Sequence, residues 1–311
     1  MQIESYIRYL GGVRRYSPRT QAIYRDVLER FDEYGQPLTP DGIRNYEVYL
    51  LDDKGLGARS VNMHLSVLSG YCRWAVRQGE LLANPVKLIP KPKQEKRLPV
   101  FYRETDMASY FASTSHDADA EQLEFLKSLP KNDKTAGQLY ERRLRRLIVS
   151  LLYSTGIRRS ELVSLNRSSL DFSRRTLSVR GKGDKMREIP LTASICEEIS
   201  LYLSAAEWML GGFTPSTPLL RTLSGKRLYP VYCDRAVKKE LDGEVTGQKS
   251  PHILRHTLAT ELLEDGTDLN SIKELLGHSS LAATQVYTHN SIEKLRKEYK
   301  KAHPRANKPE D

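Results

Sequence analysis

From residue 1 to about 90, apolar positions recur every three or four residues, the spacing of one buried helical face. Ser17-Pro18 and Thr39-Pro40 each put a hydroxyl at an N-cap and a proline at the first helical position, so each predicts a helix start. Behind the first runs the stripe Ile23, Val27, Phe31 and Tyr34. Behind the second come Ile43, Tyr46 and Leu50, with Gly55 and Gly57 ending the run. A third helix is predicted from about 58 to 79 on the face Val61, Leu65, Leu68, Cys72 and Ala75. Residues 1–88 therefore read as a bundle of four or five short helices.

The pattern then breaks. Prolines 85, 90, 92 and 99 forbid a continuous helix, and Lys87, Lys91, Lys93, Lys96 and Arg97 stand among them. Residues 89–100 read as an extended basic linker. Beyond it, residues 101–303 alternate helical and strand patterns, with 304–311 as a tail. A helix begins near Arg103 with Met107, Tyr110 and Phe111 inward. Residues 113–138 are polar apart from Leu123, Leu126 and Leu129, and read as an insertion with room for a short helix. A helix from about 138 to 154 carries the wide stripe Leu144, Leu147, Ile148, Leu151 and Leu152, which predicts the central buried helix. Residues 176–180 and 186–191 flank a glycine-rich turn and predict a hairpin. Further helices are predicted over 193–210, 232–241, from Ser250-Pro251 onward, 269–276 and 292–302. The fold class is mainly α: a helical N-terminal domain, then an α+β domain with a small antiparallel sheet.

Charge narrows the partners. Lys and Arg number 49 against 39 Asp and Glu, a net +10 that points to a polyanion, nucleic acid before an anionic membrane. On the bundle the polar faces carry Arg14, Arg15, Arg19, Arg25, Arg59, His64, Arg73 and Arg77, a set suited to duplex phosphates, though any one of them can equally be a solvated surface residue. The longest apolar run, 147–153, is far short of the roughly 20 residues a bilayer span needs. The opening residues lack the basic and apolar regions of a signal peptide. Cys72, Cys196 and Cys233 are odd in number and lack CxxC spacing, so a reduced cytoplasmic chain without disulfides or zinc is expected.

Candidate chemistry gathers in the second half. Tyr287 stands near the end of a small-residue segment, with Arg158, Lys182, His252 and Arg255 as cations to serve it. A phenol, with a pKa of about 10, is a poor nucleophile at neutral pH, and fixed positive charge favours its phenolate while holding an anionic substrate. The chain has 17 tyrosines, most of them necessarily packing or surface residues, so Tyr287 alone carries little weight. Arg158 follows a glycine that ends the central helix, between two helix ends, where a phosphate clamp would be held rigidly; structural arginines are common at such junctions too. Lys182 lies in Gly181-Lys182-Gly183, which lacks Walker spacing and is either a plain exposed hairpin lysine or a general acid reaching a leaving oxygen. His252 falls in the first turn after a Ser-Pro cap, where free amides favour an anion, and Arg255, three residues on, is expected to share that face. His252 and His256 have zinc-like spacing, but isoleucine stands where a zincin has glutamate, so neither metal nor cofactor is expected.

Taken together, Thr-Gly-Ile-Arg-Arg-Ser-Glu-Leu (155–162), Gly-Lys-Gly (181–183), His-Ile-Leu-Arg-His-Thr (252–257), Leu-Leu-Gly-His-Ser-Ser (275–280) and Val-Tyr-Thr-His (286–289) resemble the tyrosine recombinases, and among them the bacterial Xer type. Each motif is weak alone, but five in this order are specific, and the basic helical domain and linker extend the resemblance over nearly the whole chain. The resemblance implies a SAM-like core-binding bundle before a catalytic domain. It implies that Tyr287 attacks a DNA phosphate to leave a 3′-phosphotyrosyl bond. Arg158 and Arg255 would hold the nonbridging oxygens, Lys182 would protonate the leaving 5′ oxygen, and His252 and His278 would assist. The partners it implies are double-stranded DNA and further recombinase protomers, four exchanging strands through a Holliday junction. For the Xer role these extend to a second Xer recombinase and a septal DNA translocase. Chromosome-dimer resolution and service to a mobile or invertible element both remain open. A type IB topoisomerase and a non-catalytic DNA-binding regulator are the competing classes.

Overall fold

Both hydroxyl-proline pairs are helix caps in the computed structural model, which describes residues 1–93, 101–181, 185–245 and 247–277. The chain divides into two compact units, Met1–Leu98 and Pro99–Asp311, each with its own apolar core.

The first unit contains α1 (Ile3–Gly12), α2 (Pro18–Tyr34), α3 (Pro40–Val48) and α4 (Ala58–Arg77), with a π-helical turn at Tyr49–Asp53. The Ser17 hydroxyl accepts from the Thr20 amide at 3.3 Å and the Thr39 hydroxyl from the Gly42 amide at 3.2 Å, satisfying donors a helix start leaves open. Val27, Phe31, Ile43, Tyr46, Leu50, Val61, Leu65, Leu68, Cys72 and Ala75 are all buried, as their spacing predicts. Ile23 is not: it is 42% exposed, and Leu28, beside Val27, fills the core face instead. Tyr34 is half-buried and stacks on Tyr49, ring centroids 4.6 Å apart.

His64 departs from its expected place on the basic surface. It is 4% exposed, with its Nδ1 3.1 Å from the Tyr46 hydroxyl, and burial pushes its pKa down, so it is a neutral core residue. Arg14, Arg15, Arg19, Arg59, Arg73 and Arg77 are exposed, while Arg25 pairs with Glu4. The proline-rich stretch begins packed: Pro85–Leu88 forms a 3-10 turn, Val86 and Ile89 enter the core, and the Asn62 amide donates to the Pro92 carbonyl at 2.9 Å. Lys96, Arg97 and Pro99 lie outside the described residues.

The second unit is built on α7 (Lys134–Thr155), whose Leu144, Leu147, Ile148, Leu151 and Leu152 are fully buried. Before it come α5 (Glu104–Ser113) and α6 (Ala120–Ser128). After it come α8 (Arg159–Ser164), β1 (Leu170–Asp171), β2 (Thr176–Arg180), β3 (Met186–Pro190), α9 (Ala193–Leu210), α10 (Pro230–Glu240), α11 (Pro251–Glu264) and α12 (Leu269–Leu276). The sheet is antiparallel in the order β1-β2-β3, with Val179 opposite Arg187. Strand β1 is too short to show an alternation, and the sequence pattern gives no sign of it.

Residues 113–138 are not a loose addition. Asp119 caps α6 by accepting from the Gln122 amide at 2.7 Å, and Leu123 and Leu126 enter the main core. Arg143 of α7, 1% exposed, donates to the Asp119 carbonyl at 2.8 Å and the Gln122 side chain at 3.1 Å. This segment reads as polar because a nine-residue helix covering one side of α7 has only two deeply buried positions. The end of the stretch is already α7, whose cap is Asp133. The predicted helix over 292–302 and the tail from 304 lie outside the described residues.

Candidate active site

The site begins where α7 stops. Gly156 adopts φ +60°, a left-handed conformation that costs glycine little, and ends the helix. Two residues later Arg158 caps α8. The Glu161 carboxylate reaches back to the Arg158 amide at 2.8 Å and also accepts from the Arg158 guanidinium at 2.8 Å. A carboxylate three residues into a helix is well placed for this, because the first-turn amides have no helical partner. Glu161 is 4% exposed, so it orients Arg158 from the interior.

Strand β3 supplies a residue the motifs did not single out. Arg187, 7% exposed, makes a two-pronged pair with Glu161 at 3.1 and 2.8 Å. Glu161 thus sits between two guanidiniums. Burial alone would raise its pKa, but the bonds and charges of Arg187, with the Arg158 contacts, outweigh burial and bring it below the ordinary value.

Helix α11 opens on the Ser250 hydroxyl, which accepts from the Ile253 amide at 3.4 Å. His252 is exposed in the first turn, its ring 4.6 Å from that of His256. Arg255 does not share that exposed face. It is 5% exposed and turns inward with Leu254 and Leu258. Its guanidinium donates to the Gly156 carbonyl at 2.5 Å and to the Leu276 carbonyl at 2.6 Å. Burial first, and then the positive charge of Arg158 and Arg187, bring its pKa down to about 10, which still leaves it charged at neutral pH. What burial His252 has, followed by His256, Arg255 and Arg158, lowers its pKa, so the imidazole is neutral there.

These groups converge on the end of α12. Arg187 donates to the Leu275 carbonyl at 3.1 Å, Arg255 to Leu276, and Arg158 to Gly277 at 2.7 Å. Three consecutive carbonyls, the negative end of a helix dipole, are each held by an arginine from a different element. Arg158 is 33% exposed at its side chain, whereas Arg187 is 7% exposed, so Arg158 has the guanidinium more open to an incoming anion. Among the described residues no group of three or more His, Cys, Asp or Glu could hold a metal ion. Such an array can bind and neutralise a phosphate through planar, charge-assisted donors.

Residues 121–294 match the phage integrase family, and residues 3–79 match the phage integrase N-terminal SAM-like domain. The chain is 34% identical over 316 residues to the tyrosine recombinase XerC of Bacillus pumilus, covering 98% of this chain and 96% of the relative.

The chain belongs to the phage integrase family of tyrosine recombinases.

A further relative of the recombinase is the Escherichia coli O157:H7 tyrosine recombinase XerC, 31% identical over 315 residues and covering 98% and 96% of the two chains. In fold, the recombinase resembles the Tn1549 transposon integrase in complex with a circular intermediate DNA (TM-score 0.65, 18% identity, 95% of this chain and 97% of that one). It also resembles a lambda integrase tetramer bound to a Holliday junction (TM-score 0.62, 18% identity, 92% and 79%). The recombinase is a DNA-binding enzyme that performs site-specific recombination. Of its expected site residues the structure brings Arg158, His252 and Arg255 into one neighbourhood with Glu161 and Arg187. Lys182, His278 and Tyr287 lie outside the described residues. No helix among the described residues is long and apolar enough to cross a membrane.

Proposed function

We propose that Tyr287 is the nucleophile and that it attacks a DNA phosphodiester held by Arg158 and Arg255. The tyrosyl oxygen gives up its proton to a neutral imidazole or to water and bonds to phosphorus, the bond from phosphorus to the 5′ oxygen breaks, and Lys182 gives that oxygen its proton. The product is a 3′-phosphotyrosyl ester with a free 5′-hydroxyl. The ester keeps the energy of the broken bond, so a 5′-hydroxyl from another strand reverses the step without ATP. Charge building on the nonbridging oxygens is offset by guanidiniums, which removes the need for a metal. His252, neutral at pH 7, is suited to accept or donate a hydrogen bond near the phosphate, and His278 assists.

The observation that carries this reading is the convergence of Arg158 and Arg255, 97 positions apart in the chain, on adjacent carbonyls at the end of α12, immediately before residue 278. Full-length likeness to XerC proteins supports the further proposal of an Xer-type role in the cytoplasm: resolution of chromosome dimers by four protomers through a Holliday junction, with a second Xer recombinase and a septal DNA translocase as partners. The exposed arginines of the first unit are proposed to hold the duplex backbone.

The test is incubation of the full chain in EDTA with nicked suicide substrates from its own genome, run on a denaturing gel beside Tyr287→Phe. A covalent adduct lost in the variant is the expected result. An adduct that survives in Tyr287→Phe overturns the nucleophile, and a requirement for added metal overturns the mechanism.

A further inference from the structure

Two glycines of the motif segments, Gly181 and Gly277, lie beside the same side chain. A Cβ placed on Gly181, at the base of the hairpin, would sit 3.3 Å from Arg187 Nη1, and one on Gly277 would sit 3.0–3.2 Å from its Nη1, Cζ and Nε. The Arg187 guanidinium is therefore seated between two backbones where any side chain would crowd it. The hairpin is closed just beyond it, where the Gly181 amide donates to the Lys185 carbonyl at 2.8 Å.

The donors of this guanidinium are distributed across the site. Nε serves the Leu275 carbonyl at 3.1 Å, and Nη1 and Nη2 serve the two oxygens of Glu161 at 3.1 and 2.8 Å. Glu161 passes the constraint to Arg158 through its amide and its guanidinium. A buried carboxylate shared by two guanidiniums loses its place when one of them is removed, because the remaining contact must then fix both its position and its charge. Arg187 is set deeper than Arg158, 7% against 33% exposed at the side chain, and three of its five N–H donors are committed to the protein.

We infer that Arg187 is a positioning residue of the recombinase: it fixes Glu161, and through Glu161 the guanidinium of Arg158, against the end of α12 while tying the base of the β2–β3 hairpin to the same point. This rests on the proposed role of Arg158 at the scissile phosphate. The planar fork is the feature required, since an ammonium at the same place cannot serve a carbonyl and both carboxylate oxygens with fixed geometry.

The test compares single-turnover cleavage of two suicide substrates, one with an ordinary scissile phosphodiester and one with a methylphosphonate there, a neutral linkage lacking one charged nonbridging oxygen. Arg187→Gln is expected to cleave the diester about 30-fold more slowly with unchanged affinity for the intact site, and Arg187→Lys to fall between it and wild type. On the methylphosphonate the deficit of Arg187→Gln is expected to shrink by about tenfold, in parallel with that of Arg158→Ala, because less charge remains for Arg158 to hold. A deficit equally large on both substrates, or wild-type cleavage of the diester, overturns the inference. If Arg187→Gln fails to fold, Arg187→Lys takes its place under the same two criteria. Full diester cleavage by Arg158→Ala overturns the underlying role of Arg158, and is told apart because it appears in that variant itself.

Discussion

Arg255 donates to the carbonyl of Gly156, joining the arginine of one motif to the helix-ending glycine of another 99 residues away in the chain. The contact is buried and is matched by the bond from the same guanidinium to Leu276. Helices α7, α11 and α12 are thus pinned at one side chain.

Arg255→Lys is predicted to fail at both tasks of this side chain. One ammonium cannot span the two carbonyls as the fork does, so stability should fall by about 1–3 kcal/mol in urea unfolding. Cleavage should fall by about 100-fold or more, the usual loss for one donor to developing charge. A variant with wild-type rates would show that Arg255 is structural only.

Gly156→Ala tests the turn that presents Arg158. At φ +60° an alanine is strained, and its Cβ would lie 2.5 Å from a Leu276 methyl and 3.0 Å from a Leu258 methyl. A loss on the order of 3 kcal/mol is expected, combining backbone strain and overpacking. Thermal unfolding within a degree or two of wild type would contradict it.

Glu261 gives the second unit a pH dependence. Burial raises its pKa to about 7, with Glu104, Asp265 and Glu264 adding to the rise and the Tyr153 hydroxyl, bonded to both its oxygens at 2.8 Å, opposing it. The folded state then holds a proton that the unfolded chain releases near its ordinary value of 4.5. Stability therefore falls as pH rises from about 4.5 to about 7, by up to about 3 kcal/mol, and levels off above. Glu261→Gln should keep the Tyr153 contact, remove this slope and be the more stable protein at pH 8. Equal slopes in denaturant series at pH 5, 6, 7 and 8 would refute the assignment.

His252 should titrate below the ordinary imidazole value when followed by NMR in histidine-labelled protein. After its partial burial, His256 is the next cause, so His256→Gln should raise the His252 pKa. An unchanged titration in that variant would remove the charge of His256 as a cause.

The sequence made visible what local chemistry writes into it. Ser17, Thr39 and Ser250 marked helix starts, Gly156 marked a stop, and the α7 stripe marked the central helix, because caps and periodicity act within a turn or two. Arg158, His252 and Arg255 were legible as members of ordered motifs. His64 and Arg187 were not, for the same reason: a polar residue on a strand or helix declares its burial only when its partner is known. The partner of His64 is Tyr46, 18 residues away; those of Arg187 are Glu161 and Leu275, 26 and 88 residues away. The two-residue strand β1 escaped because it has too few positions to make a period, whereas the short helix α6 was legible on Leu123 and Leu126 but its packing into the main core was not.

The arginines at the end of α12 carry one more implication. Like charges crowded into a dry pocket repel, and a protein with no anion bound must either spread them apart or supply a counterweight. Here the Glu161 carboxylate and the partial charges at the tail of a helix do so together. The electrostatic work of assembling the pocket is done when the chain folds, before any DNA arrives. Under the proposed chemistry, a phosphate replaces a carbonyl at the more open Arg158 without any arginine having to travel far. Damage to the docking of α12 would accordingly register as a slower enzyme well before it registered as an unfolded one.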